Sequence, residues 1–409
     1  MKSMLSFFFA TRRRICLFAL SWLILLSILF CSMVLPFLQH GPVVLSYKGL
    51  HLREGVFNYL YSFYRYKLPA SFDEISDTDA FWHLTREDGK TNDEYYGEIT
   101  LNLVCQTLAL ARIYDQKATL STEERAEIKN AISEVVATSY LGGGSVKSFN
   151  ALAEKFGFTY RDFQDATTIL YKAITLQSTL YGQNGGLMQE ADLQQYLSQK
   201  YTHVLVIFIR TEDKFLLDDN GQYIPDGNGG YQTEPMPEEE KAQQLAKIEE
   251  VKAHLADGTT PAEFAQLFAS YNNDAQAAQR MGSYYFSEGN AYTTAYEKVF
   301  PSVSETVLSL AIGEVGIATS SIGTHFVFRT DVGDAPYNDK NYQEFFEDFR
   351  TRAAAYLYQQ LLLEGLAGVK VKNQAFLDEL SFGDAQPNNA LMIAYFRHYQ
   401  VSVSQKQTP

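Results

Sequence analysis

The sequence predicts an α+β protein built from more than one domain. Three observations lead there. Helical periodicity dominates both flanks of the chain, two β-branched apolar runs at 202–210 and 323–329 bracket its middle, and residues 15–38 contain no charge. At 409 residues the chain is long enough for two or three domains with sizeable cores.

The charge-free stretch is long enough to cross the ~30 Å hydrocarbon core at about 1.5 Å per helical residue. Arg12, Arg13 and Arg14 precede it. The positive-inside bias therefore predicts a single-pass anchor through residues 15–38, with the N-terminus cytoplasmic and the body extracytoplasmic. A cleaved signal peptide would have a shorter apolar region ending in small residues, and Leu35-Pro-Phe-Leu-Gln39 is not such a site. A lipid-modified Cys31 is disfavoured by the bulky Phe30 before it.

Residues 39–200 read as a helical domain, with helices at 52–67, 93–115, 122–140, 160–181 and 190–201. Ser121-Thr-Glu-Glu124 and Thr159-Tyr-Arg-Asp162 resemble capping boxes, in which a hydroxyl accepts a first-turn N–H. Val56, Tyr59, Leu60, Phe63 and Tyr66 share one helical face, which reads as a core stripe in preference to a substrate groove. Residues 201–332 read as an inserted α/β domain. Its first strand, 202–210, is apolar on both faces, as a covered central strand would be. The Asp/Asn/Gly-rich segment after it reads as a hairpin excursion, lacking the ligand spacing of a calcium loop. Helices at 238–256 and 261–270 follow, and 323–329 closes the block as a second buried strand. In the last part, 333–409, an apolar helix at 339–367 is expected to pack back on the N-terminal helices, with a polar tail beyond it.

Several function classes fall away. Beyond residue 38 the chain carries 30 basic against 48 acidic residues, which argues against nucleic acid as a partner. Gly142-Gly-Gly-Ser-Val-Lys-Ser148 lacks the ending of a phosphate-binding loop, no serine occupies a G-x-S-x-G turn, and the seven histidines show no metal-ligand spacing. No metal or cofactor is expected. Cys105 is the one cysteine beyond the apolar stretch, so no disulfide is expected in the body.

What remains is an ordered series. Thr202-His-Val-Leu-Val206 is followed by a helix, by 261–274 (Pro-Ala-Glu-Phe-Ala-Gln-Leu-Phe-Ala-Ser-Tyr-Asn-Asn-Asp), by Arg280 and by Phe286-Ser-Glu-Gly289. Leu308-Ser-Leu-Ala-Ile-Gly-Glu-Val315 and Gly323-Thr-His-Phe-Val-Phe328 close it. The series resembles the parvulin-type peptidyl-prolyl isomerases in order and spacing. Val44 to Phe57 resembles the opening of extracytoplasmic foldases of the PrsA and SurA type, in which N-terminal helices and a final long helix form one chaperone domain around an inserted isomerase.

The resemblance implies a membrane-anchored foldase on the outer face of a Gram-positive-like cell. It would bind unfolded, proline-containing secreted polypeptides and isomerise their X-Pro bonds. In that reading His203 and His325, each near the start of its strand, are paired histidines that meet if the strands are neighbours. Asp274 falls at the family's Asp/Cys position beside the prolyl carbonyl, and Ser320, five residues before His325, falls at the family's threonine or serine position. Val299, Val303, Leu308 and Phe286 line the proline pocket. The chain departs from the family by an insertion of about eight residues before Val299, by smaller residues at the two pocket positions, and by an acidic excursion at 213–236 in place of a basic phosphate-reading loop. These departures leave two other readings open: an inactive holdase of the same fold, or an envelope scaffold gripping one partner. A homodimer is compatible with any of them.

Overall fold

The computed structural model describes residues 41–67, 78–137, 144–220, 222–227, 231–255, 259–273, 275–278 and 280–383. The expected anchor at 15–38, Asp274 and the tail beyond 383 lie outside them. No helix among the described residues is long and apolar enough to cross a membrane. The chain divides into two compact units, one comprising Met1–Leu180 with Tyr358–Pro409 and the other Tyr181–Leu357.

The first unit opens on a hairpin of β1 (Val43–Tyr47) and β2 (Leu50–Arg53). The helix expected from residue 52 therefore starts at Glu54. Lys48 and Gly49 both take positive φ (41° and 87°), giving the two-residue turn whose twist suits paired strands. Among the described residues six helices follow: α1 (Glu54–Lys67), α2 (Asp79–Trp82), α3 (Asn92–Lys117), α4 (Thr122–Ala137), α5 (Val146–Ala153) and α6 (Tyr160–Tyr181). Thr91 and Glu94 form a reciprocal capping box on α3, and Ser121 exchanges the same bonds with Glu124 before α4. The α1 stripe is core: Val56, Tyr59, Leu60 and Phe63 are buried in one cluster with Val104 and Leu108 of α3. Burial pushes the Cys105 thiol up to about 11, so it is inert at neutral pH. A cavity of about 650 Å³ lies among Leu120, Ile128, Ile132, Arg125, Lys129 and the Asp115–Lys172 ion pair.

The second unit contains α7 (Glu190–Lys200), β3 (Thr202–Arg210), β4 (Asp213–Phe215), β5 (Thr233–Pro235), α8 (Glu238–His254) and α9 (Pro261–Tyr271). It continues through α10 (Ala275–Ala278), β6 (Ser283–Phe286), α11 (Ala291–Val299), α12 (Pro301–Ser309), β7 (Val315–Ser320) and β8 (Gly323–Thr330). The main sheet is antiparallel throughout, in the order β6-β3-β8-β7, while β4 and β5 form a separate ladder.

The helix expected over 339–367 is shorter. It runs as α13 (Phe349–Ala367), preceded by 3-10 turns at Lys340–Phe345 and by Asp348 at φ 54°. Tyr342 and Phe346, in the turns before it, pack on Tyr285 of β6, with ring centroids 5.3 and 5.1 Å away.

The later residues of α13 belong to the first unit, where Leu361, Leu362 and Leu366 join its core. After it β9 (Lys370–Val371) pairs with β1, and α14 (Gln374–Asp378) follows. Arg65 of α1 is buried, with Nε 2.6 Å from the Phe382 carbonyl and Nη2 3.1 Å from that of Gly383.

Gly282 has φ 76°, and a Cβ there would lie 2.7 Å from the Val206 carbonyl oxygen and 2.8 Å from the Phe268 ring. Gly282→Ala is expected to destabilise the second unit by about 1–3 kcal/mol, read as a lower denaturant midpoint, whereas Gly313→Ala, at a positive φ with open space around it, costs strain alone.

Candidate functional site

β3 sits at the centre of the sheet. It pairs with β8 at eight consecutive positions, from His203 opposite Thr330 to Arg210 opposite Gly323. Residues directly opposite each other share a face, and neighbours along a strand alternate. One face therefore carries Val204, Val206, Phe208 and Arg210 with His325, Val327 and, from β7, Ala318. The α12 helix covers this face, as Gly316 on it meets Thr306 and Phe300 approaches His325. The other face carries His203, Leu205, Ile207 and Phe328, with Phe264 of α9 stacked on Phe328.

His325 is 4% exposed. Its ring stacks on Phe208 at 4.6 Å between centroids and faces Phe300 at 5.4 Å. Its Nε2 lies 2.9 Å from Ser320 Oγ, which is also 3.3 Å from the Gly323 carbonyl oxygen and accepts from the Ile322 N–H at 3.4 Å. The single hydroxyl proton can go to Gly323 or to the imidazole, and in either state Ser320 fixes the ring. Two aromatic rings and one hydroxyl thus hold a polar group in apolar surroundings, where its hydrogen bonds are stronger than in water.

Beyond residue 205, β6 no longer pairs with β3, and a loop takes over that edge. The Val206 N–H donates to Gly282, the Phe208 N–H to Asn272 Oδ1 at 3.1 Å and the Arg210 N–H to Asn273 Oδ1 at 3.0 Å. In return the Asn273 N–H donates to the Phe208 carbonyl at 2.7 Å. The two asparagines act as a surrogate strand and pin the chain beside Phe208. Asp274 is the next residue in sequence and lies outside the described residues.

The expected meeting of the two histidines does not occur. The strands are neighbours but antiparallel, so residues near the start of each lie toward opposite ends of the pair. His203 and His325 are five register positions apart, roughly 16 Å, and five is odd, so they are on opposite faces. His203 stacks on Tyr285 at 4.3 Å, and its Nδ1 lies 2.6 Å from the Asp331 carbonyl oxygen, which calls for a proton on that nitrogen. Burial lowers its pKa, opposed in part by the Asp331 carbonyl.

Nor are the expected pocket residues gathered at one place. Val299 and Leu308 are largely exposed, while Val303, on α12, is fully buried. Phe286 is opposite Thr202, at the end of β3 away from His325, and is packed among Tyr284, Tyr292 and Tyr296. The rings that do reach His325, Phe208 and Phe300, were not singled out by sequence. Phe208 follows from strand parity once the register is known, and Phe300 precedes Pro301, a helix-start signal that could have flagged the corner.

Residues 198–332 match the family model of the PPIC-type PPIase domain, and this part of the chain is a peptidyl-prolyl isomerase domain of that type. No curated protein matches the chain significantly. Among solved structures it is similar to PrsA from Bacillus subtilis, at 18% identity over 72% of this chain and 90% of that one, with a TM-score of 0.21. The foldase protein PrsA from Streptococcus pneumoniae matches at 15% identity over 72% and 97%, TM-score 0.20. The foldase protein PrsA from Lactococcus lactis matches at 12% over 83% and 97%, TM-score 0.19.

Because the His203 pKa is below the usual 6.5 in the folded domain, the unfolded chain binds this proton more readily. Its contribution to stability is full above pH 6.5 and is lost as pH falls from there through the folded value. The denaturation midpoint is expected to drop between pH 7.5 and 5.5, and His203→Gln should flatten that slope.

Proposed function

We propose that the chain is a membrane-anchored extracytoplasmic foldase, tethered through residues 15–38, that binds unfolded secreted chains and isomerises their X-Pro bonds. The observation that carries the enzymatic part is the Ser320–His325 pair held between Phe208 and Phe300 at one end of the PPIC-type domain's sheet.

Such a corner suits the reaction. Amide resonance sets a barrier of about 18–20 kcal/mol, so an X-Pro bond turns over unaided in tens of seconds or longer. The catalyst has to favour the twisted amide, whose carbonyl and nitrogen have lost conjugation, over the planar one. Phe300, half-buried, supplies an apolar wall against the proline ring, and the buried Phe208 backs the imidazole. His325, oriented by Ser320, and Asp274, which follows the pinned Asn273, manage the carbonyl as its charge changes. The reaction breaks no covalent bond and consumes no cofactor. His203, on the other face, belongs to the framework. Polypeptide binding falls to the first unit, whose cavity combines an apolar lining with Arg125 and Lys129.

A second reading, a holdase without isomerase activity, is favoured by the dispersal of Val299, Leu308 and Phe286. One assay separates the two. With an unphosphorylated X-Pro peptide the chain should accelerate isomerisation, and Asp274→Ala, His325→Ala and Ser320→Ala should each lower kcat/KM by about tenfold or more, at least 1.4 kcal/mol in the barrier. No acceleration by the unmodified chain, with suppression of client aggregation intact, would establish the holdase.

A further inference from the structure

The excursion between β3 and α8 has no part in the site described above, yet it leaves the sheet at the His325 end. Arg210, the last residue of β3, is on the same face as Phe208 and His325. Its guanidinium lies 5.5 Å from the Phe208 ring centroid and 4.1 Å from that of Phe215, and it is tethered to Asp213. Phe215 in turn packs against Tyr223 and Tyr231 at 5.1 and 5.7 Å, and those two rings are 5.3 Å apart. The isolated bridges Leu217 to Tyr223 and Pro225 to Tyr231 hold them in register beyond β4 and β5. A continuous path of stacked groups therefore runs from His325 to the excursion.

The path ends in solvent. Leu217 is 54% exposed, Tyr223 38% and Tyr231 37%. Two tyrosines and a leucine presented side by side on a surface hairpin form a rigid, amphipathic contact area of the sort used to hold peptides. The electrostatics select the partner. Of the six carboxylates between 211 and 236, Glu212, Asp213 and Glu234 are paired with Lys241, Arg210 and Lys214, while Asp218 and Asp219 lie at the exposed turn beside Leu217. A cationic side chain gains from both the carboxylates and the faces of the tyrosine rings, whereas an anionic one is repelled.

We propose that Leu217, Tyr223 and Tyr231 form a second contact for the substrate polypeptide. It makes the isomerase select X-Pro segments with a large apolar residue and a Lys or Arg roughly three to five residues from the proline, at about 3.3 Å of extended chain per residue. The proposal rests on the isomerase reading of the His325 corner, whose substrate class it names.

The test uses the full chain in detergent and three peptides: a tetrapeptide holding only an X-Pro bond, a dodecapeptide with Phe and Lys four and five residues from the proline, and its counterpart with Ala and Glu there. The Phe/Lys peptide is expected to show a KM about tenfold lower than the Ala/Glu peptide, the order of one exposed cation–π contact plus partial burial of one apolar side chain. The combined variant Leu217→Ser, Tyr223→Ser, Tyr231→Ser should abolish that difference while leaving kcat/KM for the tetrapeptide unchanged. Asp218→Asn with Asp219→Asn should weaken only the preference for Lys. Equal KM values for the two long peptides, or a preference that survives the combined variant, overturns the proposal. If the tetrapeptide is not accelerated at all, the isomerase reading fails separately. Fluorescence anisotropy of the labelled long peptides then decides the contact: selective binding lost in the combined variant supports it, and unselective binding overturns it.

Discussion

The antiparallel register of β3 against β8 is the constraint on which the second unit depends. Eight consecutive pairs fix it, and both faces of β3 are covered, with Val204, Ile207 and Ile209 fully buried. A slip of one residue would move every side chain of the strand to the other face and strand polar groups in the core. The same pairing decides which groups share the His325 corner. It puts Phe208 against the imidazole, sends His203 to the far face, and delivers Arg210 to the point where the aromatic excursion departs.

Much of this architecture was legible because local rules and burial agree. The strand Thr202–Arg210 and the helix Tyr160–Tyr181 have the bounds their patterns predict, since an unbroken β-branched run and a capped amphipathic run leave little choice. The hairpin at Val43–Arg53 was missed because Lys48 occupies a left-handed position that residue type alone does not announce. The start of α13 was misplaced because Tyr342 and Phe346 fit a helical period equally well, yet lie in the turns before it and pack on Tyr285.

The site was legible only where it is local. Ser320 and His325 were both singled out by the motif spacing, and, five residues apart across a tight turn between paired strands, they meet within one local hairpin. The meeting of His203 with His325 required knowing direction and parity between strands more than a hundred residues apart, and matching positions within each strand suggested the wrong answer. Phe300 depends on the corner between α11 and α12, inside the insertion that breaks the family spacing.

The two units also differ in continuity along the chain. The second is a single uninterrupted stretch, Tyr181–Leu357, whereas the first needs residues from both ends: β9 completes the sheet begun by β1, and Arg65 is capped by the carbonyls of Phe382 and Gly383. A chain emerging from its N-terminus can complete the isomerase-containing unit while the first remains open, its buried arginine still lacking those acceptors. The helical unit closes last, once the final helix and the strand after it are available, so a nascent molecule acquires its sheet before its helical core is sealed.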